Sequence, residues 1–316
     1  MTNTIYLAGG CFWGMQKLMQ SIPGVVGAVS GYANGHSCEN PSYEMVCTGN
    51  TGFKETVKVE YDPQKISLDA ILFAYFAVID PSVRNRQGHD VGPQYQTGIY
   101  YADEASKRTA ERIAGIEKER NKVFEVEIGP LESFYDAEEY HQKYLDKNPS
   151  GYCHIPREKI DYLADMVFDP AEYQRPAKEI IEKKLTDIQF AVTQRAATEP
   201  PFQNELWEHS ARGIYVDVVT GEPLFSSKDK FKSSCGWPSF SKGIDRNSLV
   251  RLEDLSHNMK RTEVRSRAGN SHLGHVFERD FESPNGVRYC INGAALRFVP
   301  YDRMEEEGYG KFKQFV

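Results

Sequence analysis

The chain has 316 residues, a formal net charge of −7, and 40% hydrophobic and 12% aromatic residues, an expectation of about two ordinary cores. The acidic balance argues against nucleic acid or an anionic membrane as the main partner. No apolar run approaches the ~18 residues of a membrane span, and Met1 to Ala8 lacks the charged and apolar regions of a secretory signal; the expected setting is the cytoplasm, where thiols stay reduced.

Thr4 to Ala8 reads as a strand and Met15 to Ile22 as a helix, with Phe12, Met15 and Met19 on one face and Gly9-Gly10-Cys11 turning between the two. Gly24 to Ala33 reads as a second strand, Gly35 to Pro41 as a polar loop, and Lys54 to Tyr61 as an alternating strand. Ser67 to Ile79 has helical spacing, with Ser67 as its N-cap and Asp69 suiting the positive end of its dipole. Pro81 to Gly92 is a polar loop and Tyr95 to Tyr101 a strand. Asp103 to Asn121 is a long charged helix expected to present a solvated face, Val123 to Ile128 a strand, and Ala137 to Lys147 a short helix. Interleaved strands and helices predict an α/β or α+β layered fold.

Beyond Cys153 the character changes. His154 to Lys184 is charged, is broken by Pro156, Pro170 and Pro176, and reads as a linker with helical pieces. From Leu185 onward come short β-type runs, among them Gly213 to Val219, Leu249 to Leu252, Thr262 to Arg265, His275 to Phe277, Val287 to Ile291 and Ala295 to Val299. Two unlike domains, the second mainly β, fit this pattern better than one.

Six cysteines (Cys11, Cys38, Cys47, Cys153, Cys235 and Cys290) are scattered without a C-x-x-C pair, which removes the common zinc-ribbon and thioredoxin-like spacings. Cys11 sits where a strand feeds a helix, so unpaired N–H groups and the helix dipole favour its thiolate, and Phe12 and Trp13 wall it with aromatic surface. A nucleophile there needs an acid. Glu55 shares a strand face with Val57 and Val59, where burial would keep it protonated; on these residues alone a surface glutamate at a strand edge is the favoured reading. Tyr43, Tyr95 and Asp90 are possible polar partners, each weak alone. Cys153, in the turn-rich Asn148-Pro-Ser-Gly-Tyr-Cys153, is a candidate to pair with Cys11. In the second half Arg288, Cys290 and Asn292 share one strand face, and Arg288 would stabilise a Cys290 thiolate. His272 and His275 could donate protons; a metal site is disfavoured, because two imidazoles come without cysteines at ligand spacing. Cys235-Gly-Trp237 again sets sulfur beside an aromatic ring, whereas Cys38 and Cys47 read as spectators.

These residues carry a resemblance. Gly9-Gly-Cys-Phe-Trp-Gly14, Gly88-His-Asp-Val-Gly-Pro-Gln-Tyr95, Tyr140-His-Gln-Lys-Tyr144 and Asn148-Pro-Ser-Gly-Tyr-Cys153 resemble peptide methionine sulfoxide reductase type A. Cys235-Gly-Trp-Pro-Ser-Phe240, Arg261-Thr-Glu-Val264, His272-Leu-Gly-His-Val-Phe277 and Arg288-Tyr-Cys-Ile-Asn292 resemble the type B reductase. The resemblance implies a ferredoxin-like α/β sandwich over residues 1–155, a linker over 156–184, and a mainly β, tent-like domain over 185–316, each acting on one sulfoxide epimer. It implies Cys11 as nucleophile, Glu55 as acid, Tyr43 and Tyr95 on the sulfoxide oxygen, Phe12 and Trp13 around the methyl group, Asp90 as polar support and Cys153 as resolving thiol. In the second domain it implies Cys290 as nucleophile, Cys235 as resolving thiol, His275 and His272 as proton donors, Trp237 as the methyl-pocket wall, and Arg288 and Asn292 around the sulfur. No bound cofactor is implied; an external dithiol, expected to be thioredoxin, supplies electrons to what is by default a monomer. Many type B reductases bind a structural zinc through two C-x-x-C pairs, but Asp217, Thr220, Ser266 and Gly269 stand at the matching positions here, so no zinc is expected. The competing reading is a thiol-based redox sensor or disulfide exchanger, whose cue would be a close cysteine pair.

Overall fold

A computed structural model describes residues 2–36 and 39–316, so Cys38 lies outside the described residues. The chain forms two compact units, Met1–Asp169 and Pro170–Val316.

The first unit runs β1 (Asn3–Ala8), α1 (Phe12–Ser21), β2 (Val25–Ala33), α2 (Tyr43–Cys47), β3 (Lys54–Tyr61), α3 (Leu68–Val78), a two-residue ladder of β4 (Arg86–Gln87) and β5 (Asp90–Val91), β6 (Gly98–Tyr101), α4 (Glu104–Arg120), β7 (Glu127–Pro130), β8 (Phe134–Asp136), α5 (Tyr144–Lys147) and α6 (Arg157–Ala164). Its six-stranded sheet has the order β7-β6-β1-β3-β2-β8, antiparallel except for the β6–β7 pair. Val57 and Val59 of β3 are buried by the strand period, and Phe12, Met15, Leu18 and Met19 of α1 by the helix period, in one core. Each such side chain contributes about 1.5–3 kcal/mol when withdrawn from water. Ser67 caps α3 through Ala70 N–H, as expected.

Five segments depart from the sequence expectation. Ala137–Lys147 is not one helix. The Gln142 amide bonds both backbone groups of Ser30 and the Ala137 carbonyl, Gln16 accepts from Lys143 N–H, and Lys143 is held at φ +51°. Those bonds outweigh helix propensity and leave only Tyr144–Lys147 helical. The strand expected over 123–128 begins only at Glu127, where Gly98 of β6 becomes available as partner. Tyr95 lies in a 3-10 turn ahead of β6 rather than in the strand. α4 keeps a charged outer face yet buries Ala110, Ile113, Ala114 and Ile116. In the segment read as a linker, Ile160 and Leu163 of α6 lie in the first unit's core.

The second unit contains α7 (Lys178–Lys184), α8 (Asp187–Arg195), β9 (Gly213–Asp217), β10 (Pro223–Ser226), β11 (Lys230–Phe231), β12 (Ser239–Phe240), β13 (Leu249–Asp254), β14 (Arg261–Ser266), β15 (His272–Glu278), β16 (Val287–Ile291) and β17 (Leu296–Pro300). A capping box between Thr186 and Gln189 starts α8. The strands form a three-stranded sheet, β10-β9-β17, and a six-stranded sheet, β11-β12-β16-β15-β14-β13. Tyr215, Phe225, Phe240, Val264, Leu273 and Ile291 share one core, with Phe225 stacked on Phe240 at 4.4 Å.

One irregularity places chemistry. By strict alternation His272 and His275, three residues apart, would face opposite sides of β15. The β14–β15 register shifts between Val264 and Arg265, so Leu273 is left without a ladder partner. The two rings then meet on one side, with centroids 5.7 Å apart. Gly274 (φ +153°) makes this possible, because a Cβ there would lie 2.1 Å from the Cys290 carbonyl oxygen. Gly274→Ala is expected to destabilise the second unit by about 2 kcal/mol or more; calorimetry of the whole chain should show that unit's transition falling while the first unit's stays in place.

Candidate active sites

The first site is built on the turn into α1. Gly10 (φ +80°) takes a conformation closed to ordinary side chains, and a Cβ there would strike Gln87 at 2.5 Å. Cys11 is the N-cap of α1 and is 7% exposed. Glu55, on the neighbouring strand β3 and 2% exposed, accepts a hydrogen bond from Phe12 N–H at 3.0 Å. Burial pushes the Glu55 carboxyl up to about 8, with Phe12 N–H opposing and Asp90 adding to the rise. The expected acid is therefore buried and protonated at neutral pH, not a surface glutamate.

The thiolate expectation for Cys11 is corrected. Burial, followed by the nearby Glu55, holds the Cys11 thiol well above its ordinary range, although Trp13 N–H pulls the other way. The helix-end effect is present, but desolvation of the sulfur is larger.

Phe12 packs 5.9 Å from Tyr32, and Trp13 stacks on Tyr144 at 3.7 Å. The Trp13 indole donates to His141 Nδ1 at 3.1 Å, which leaves the His141 proton on Nε2. Tyr43 and Tyr95 are half-buried, and both hydroxyls are pushed up, first by burial and further by Glu55. Tyr43 N–H donates to Glu138, which also takes the Tyr32 hydroxyl. Asp90 lies close enough to raise the Cys11 thiol and accepts from Tyr152 at 3.0 Å. Cys153 packs against the missing side chain of Gly14, where a Cβ would lie 3.0 Å from its sulfur. Cys47, read as a spectator, stands one helical turn after Tyr43, close enough that it adds to the rise of the Tyr43 hydroxyl. α2 carries no strong helix signal in the sequence, so this pairing was not visible.

The second site lies on β15 and β16. Cys290 Sγ is 3.4 Å from Cys235 Sγ, which also contacts Ser239 Oγ at 3.4 Å. Cys290 S–H donates to Cys235, and that bond, first among the causes, holds the Cys235 thiol down to about 4 and pushes the Cys290 thiol up. Burial adds to the rise at Cys290 and Arg288 opposes it, so the thiolate expected at Cys290 falls on Cys235 instead. Arg288 is aimed by Asp280 at 2.7 Å and lies over the Phe277 ring. Trp237, Phe277, His275, Asn292, Arg261 and Cys290 line a cavity of about 120 Å³. His275 Nε2 meets Asp254 at 2.8 Å, and Arg261 meets the same oxygen at 2.7 Å. His272, behind the cavity, is fixed by Glu263 at 2.6 Å.

Sequence reasoning missed the residues that aim the others: His141 and Tyr144 behind Trp13, and Asp254, Glu263 and Arg261 around the histidines. The motifs containing His141, Tyr144, Arg261 and Glu263 were the available signal; Asp254 had none.

Asp217, Thr220, Ser266 and Gly269 do come together. Asp217 is fully buried and accepts from Ser266 Oγ at 2.6 Å, Ser271 Oγ at 3.1 Å and Val219 N–H at 2.8 Å. A Cβ on Gly269 would lie 2.3 Å from Asp217 and 3.1 Å from Thr220. One carboxylate, two hydroxyls and a glycine do not fit a tetrahedral zinc, and among the described residues no three His, Cys, Asp or Glu side chains gather as metal ligands. No helix among the described residues is long and apolar enough to cross a membrane.

Comparison with known proteins identifies two regions. Residues 3–169 match the family peptide methionine sulfoxide reductase, and residues 185–300 match the SelR domain. Among solved structures, the chain is similar to Mxr1 from Saccharomyces cerevisiae in reduced form, with 38% identity over 48% of this chain and 88% of that one and a TM-score of 0.46. It is also similar to methionine sulfoxide reductase A of Corynebacterium diphtheriae, with 37% identity over 49% and 83% and a TM-score of 0.46. A complex of Mxr1 with Trx2 matches at 25% identity over 45% and 84%, with a TM-score of 0.32.

Carboxyl titration followed by ¹³C NMR should place the Glu55 midpoint near 8, with the acid form lost as pH rises through that value. A midpoint near the ordinary ~4.3 would remove the proton donor from this site.

Proposed function

The chain belongs to the peptide methionine sulfoxide reductase family, joining a type A region to a type B region behind it, and we propose that the first takes the S-epimer of methionine sulfoxide and the second the R-epimer. The observation that carries this reading is the carboxyl group of Glu55, buried and held protonated beside the N-cap sulfur of Cys11.

A sulfoxide oxygen leaves only once protonated, so sulfur and acid must act together. As Cys11 sulfur attacks the sulfoxide sulfur, Glu55 gives its proton to the oxygen, and the thiol proton restores the carboxyl. The products are methionine and a Cys11 sulfenic acid. Tyr43 and Tyr95 hold the oxygen, Asp90 supports that polar side, and Phe12 and Trp13 hold the methyl group. Cys153 then attacks the sulfenic sulfur, forming a Cys11–Cys153 disulfide and releasing water. An external protein dithiol, for which we propose thioredoxin, returns both thiols; the chemistry needs no resident cofactor.

In the second region Cys290 is the nucleophile, Cys235 the resolving thiol, and His275, with His272 behind it, the proton source. Arg288 opposes the rise of the Cys290 thiol and so supports the charge that develops on that sulfur as it attacks. Trp237 forms the methyl wall, and Asn292 completes the cavity. The type A chemistry is assigned to residues 1–155 and the type B chemistry to 185–316. The β6-β1-β3-β2 order, a split βαβ arrangement, supports the ferredoxin-like description, and the two sheets of the second unit are compatible with the tent-like one. The hydrogen-bonded cluster at Asp217 supports a reductase whose clamp is held without zinc.

Given racemic peptide methionine sulfoxide and dithiothreitol, the intact chain should consume both epimers. Cys11→Ser should remove S-epimer turnover alone and Cys290→Ser R-epimer turnover alone; loss of both from either change would overturn the two-site reading, and dithiol exchange without sulfoxide loss would favour a disulfide exchanger. Elemental analysis of the purified chain should find no stoichiometric zinc, and a tightly held equivalent would overturn the zinc-free clamp.

A further inference from the structure

We infer that Glu199 is the positioning residue that holds both walls of the second cavity, an inference that rests on the reading of that cavity as the R-sulfoxide site. Glu199 is 4% exposed and lies outside every regular element. Its main chain makes two contacts to the cavity lining. The carbonyl accepts from the Trp237 indole N–H at 3.1 Å, and the N–H donates to Asn292 Oδ1 at 3.0 Å. Thr198, the residue before it, lines the cavity directly. Asn292 is held from its other end, its amide nitrogen donating to the Leu273 carbonyl at 3.0 Å.

What keeps this strand of chain in place is the Glu199 carboxylate. The 3-10 turn Gly293–Ala295 follows Asn292, whose own side chain does not cap it. The free N–H groups of that turn donate to Glu199 instead, Gly293 to Oε1 and Ala294 to Oε2 at 2.8 Å, and Asn204 adds a third donor at 3.1 Å. A buried carboxylate facing neutral donors is stabilised by hydrogen bonds alone, so removing it leaves two buried N–H groups without acceptors. The consequence would reach the cavity through Trp237 and Asn292. Trp237 is the proposed methyl wall, so a displaced indole loosens the fit to the small alkyl group and leaves sulfur chemistry at Cys290 intact. A role confined to stability would lower turnover of all sulfoxides alike.

The test labels the full chain with 5-fluorotryptophan and assigns its three tryptophan resonances by substitution. In Glu199→Ala the Trp237 resonance should shift while Trp13 stays in place. The kcat/KM for peptide methionine R-sulfoxide should fall about tenfold or more, and its preference over the ethyl analogue should shrink. Alkylation of Cys290 by iodoacetamide should stay within about twofold of the unsubstituted chain. Glu199→Gln, which keeps the volume and one acceptor, should fall between the two and serves should the alanine variant not fold. An unmoved Trp237 resonance with an unchanged methyl-over-ethyl preference in the folded variant overturns the positioning role. Absence of R-epimer turnover in the unsubstituted chain would instead overturn the reading of the cavity, and the Trp237 resonance would still decide whether Glu199 holds the indole.

Discussion

Two acidic groups withdrawn from water side by side cannot both carry charge, and this constraint organises the first unit. Cys11 and Glu55 lie on adjoining elements, 7% and 2% exposed. Desolvation raises both groups, Glu55 raises the Cys11 thiol further, and Asp90 adds to the rise of both. Both groups are thus held toward their neutral forms, a thiol beside a carboxylic acid. The backbone fixes the carboxyl while opposing its rise, because Phe12 N–H, one of the free donors at the start of α1, donates to Glu55.

The second unit meets the same chemical need by another route. Its sulfurs are paired at 3.4 Å and half-buried, and the Cys290 thiol donates to Cys235, whose own thiol is held low by that bond. Arg288 supplies positive charge where the first site has only backbone donors. Two imidazoles stand on the adjacent strand β15, His272 held by Glu263 of β14 and His275 by Asp254 of β13. Both sites rest on the same principle of a reacting group aimed by a fixed partner. In the first unit His141 and Tyr144 fix Trp13, and in the second Glu199 fixes Trp237.

The cluster at Asp217 gathers residues far apart in the chain around one buried carboxyl group. Thr220, Ser266 and Gly269 all lie against it or beside it. A fully buried carboxylate joined to two hydroxyls and backbone donors ties β9 to β14 and the turn after it.

Sequence by itself determined most regular elements and pointed to the candidate site residues, because those signals are local. The Gly-Gly-Cys turn, the α1 and β3 periodicities and the Ser67 cap all follow from spacing along the chain, and motif resemblance assigned Cys11, Glu55, Cys153, Cys235 and Cys290. Tertiary structure alone decided what water could reach. That overturned the helix-end argument for a Cys11 thiolate and made Glu55 an acid rather than a surface charge. It also brought His272 and His275 to one side of β15 through a bulge no alternation rule predicts, and broke Ala137–Lys147 through side-chain bonds to residues more than a hundred positions away. Desolvation and long-range hydrogen bonding depend on neighbours distant in the chain, and no local window of residues contains them.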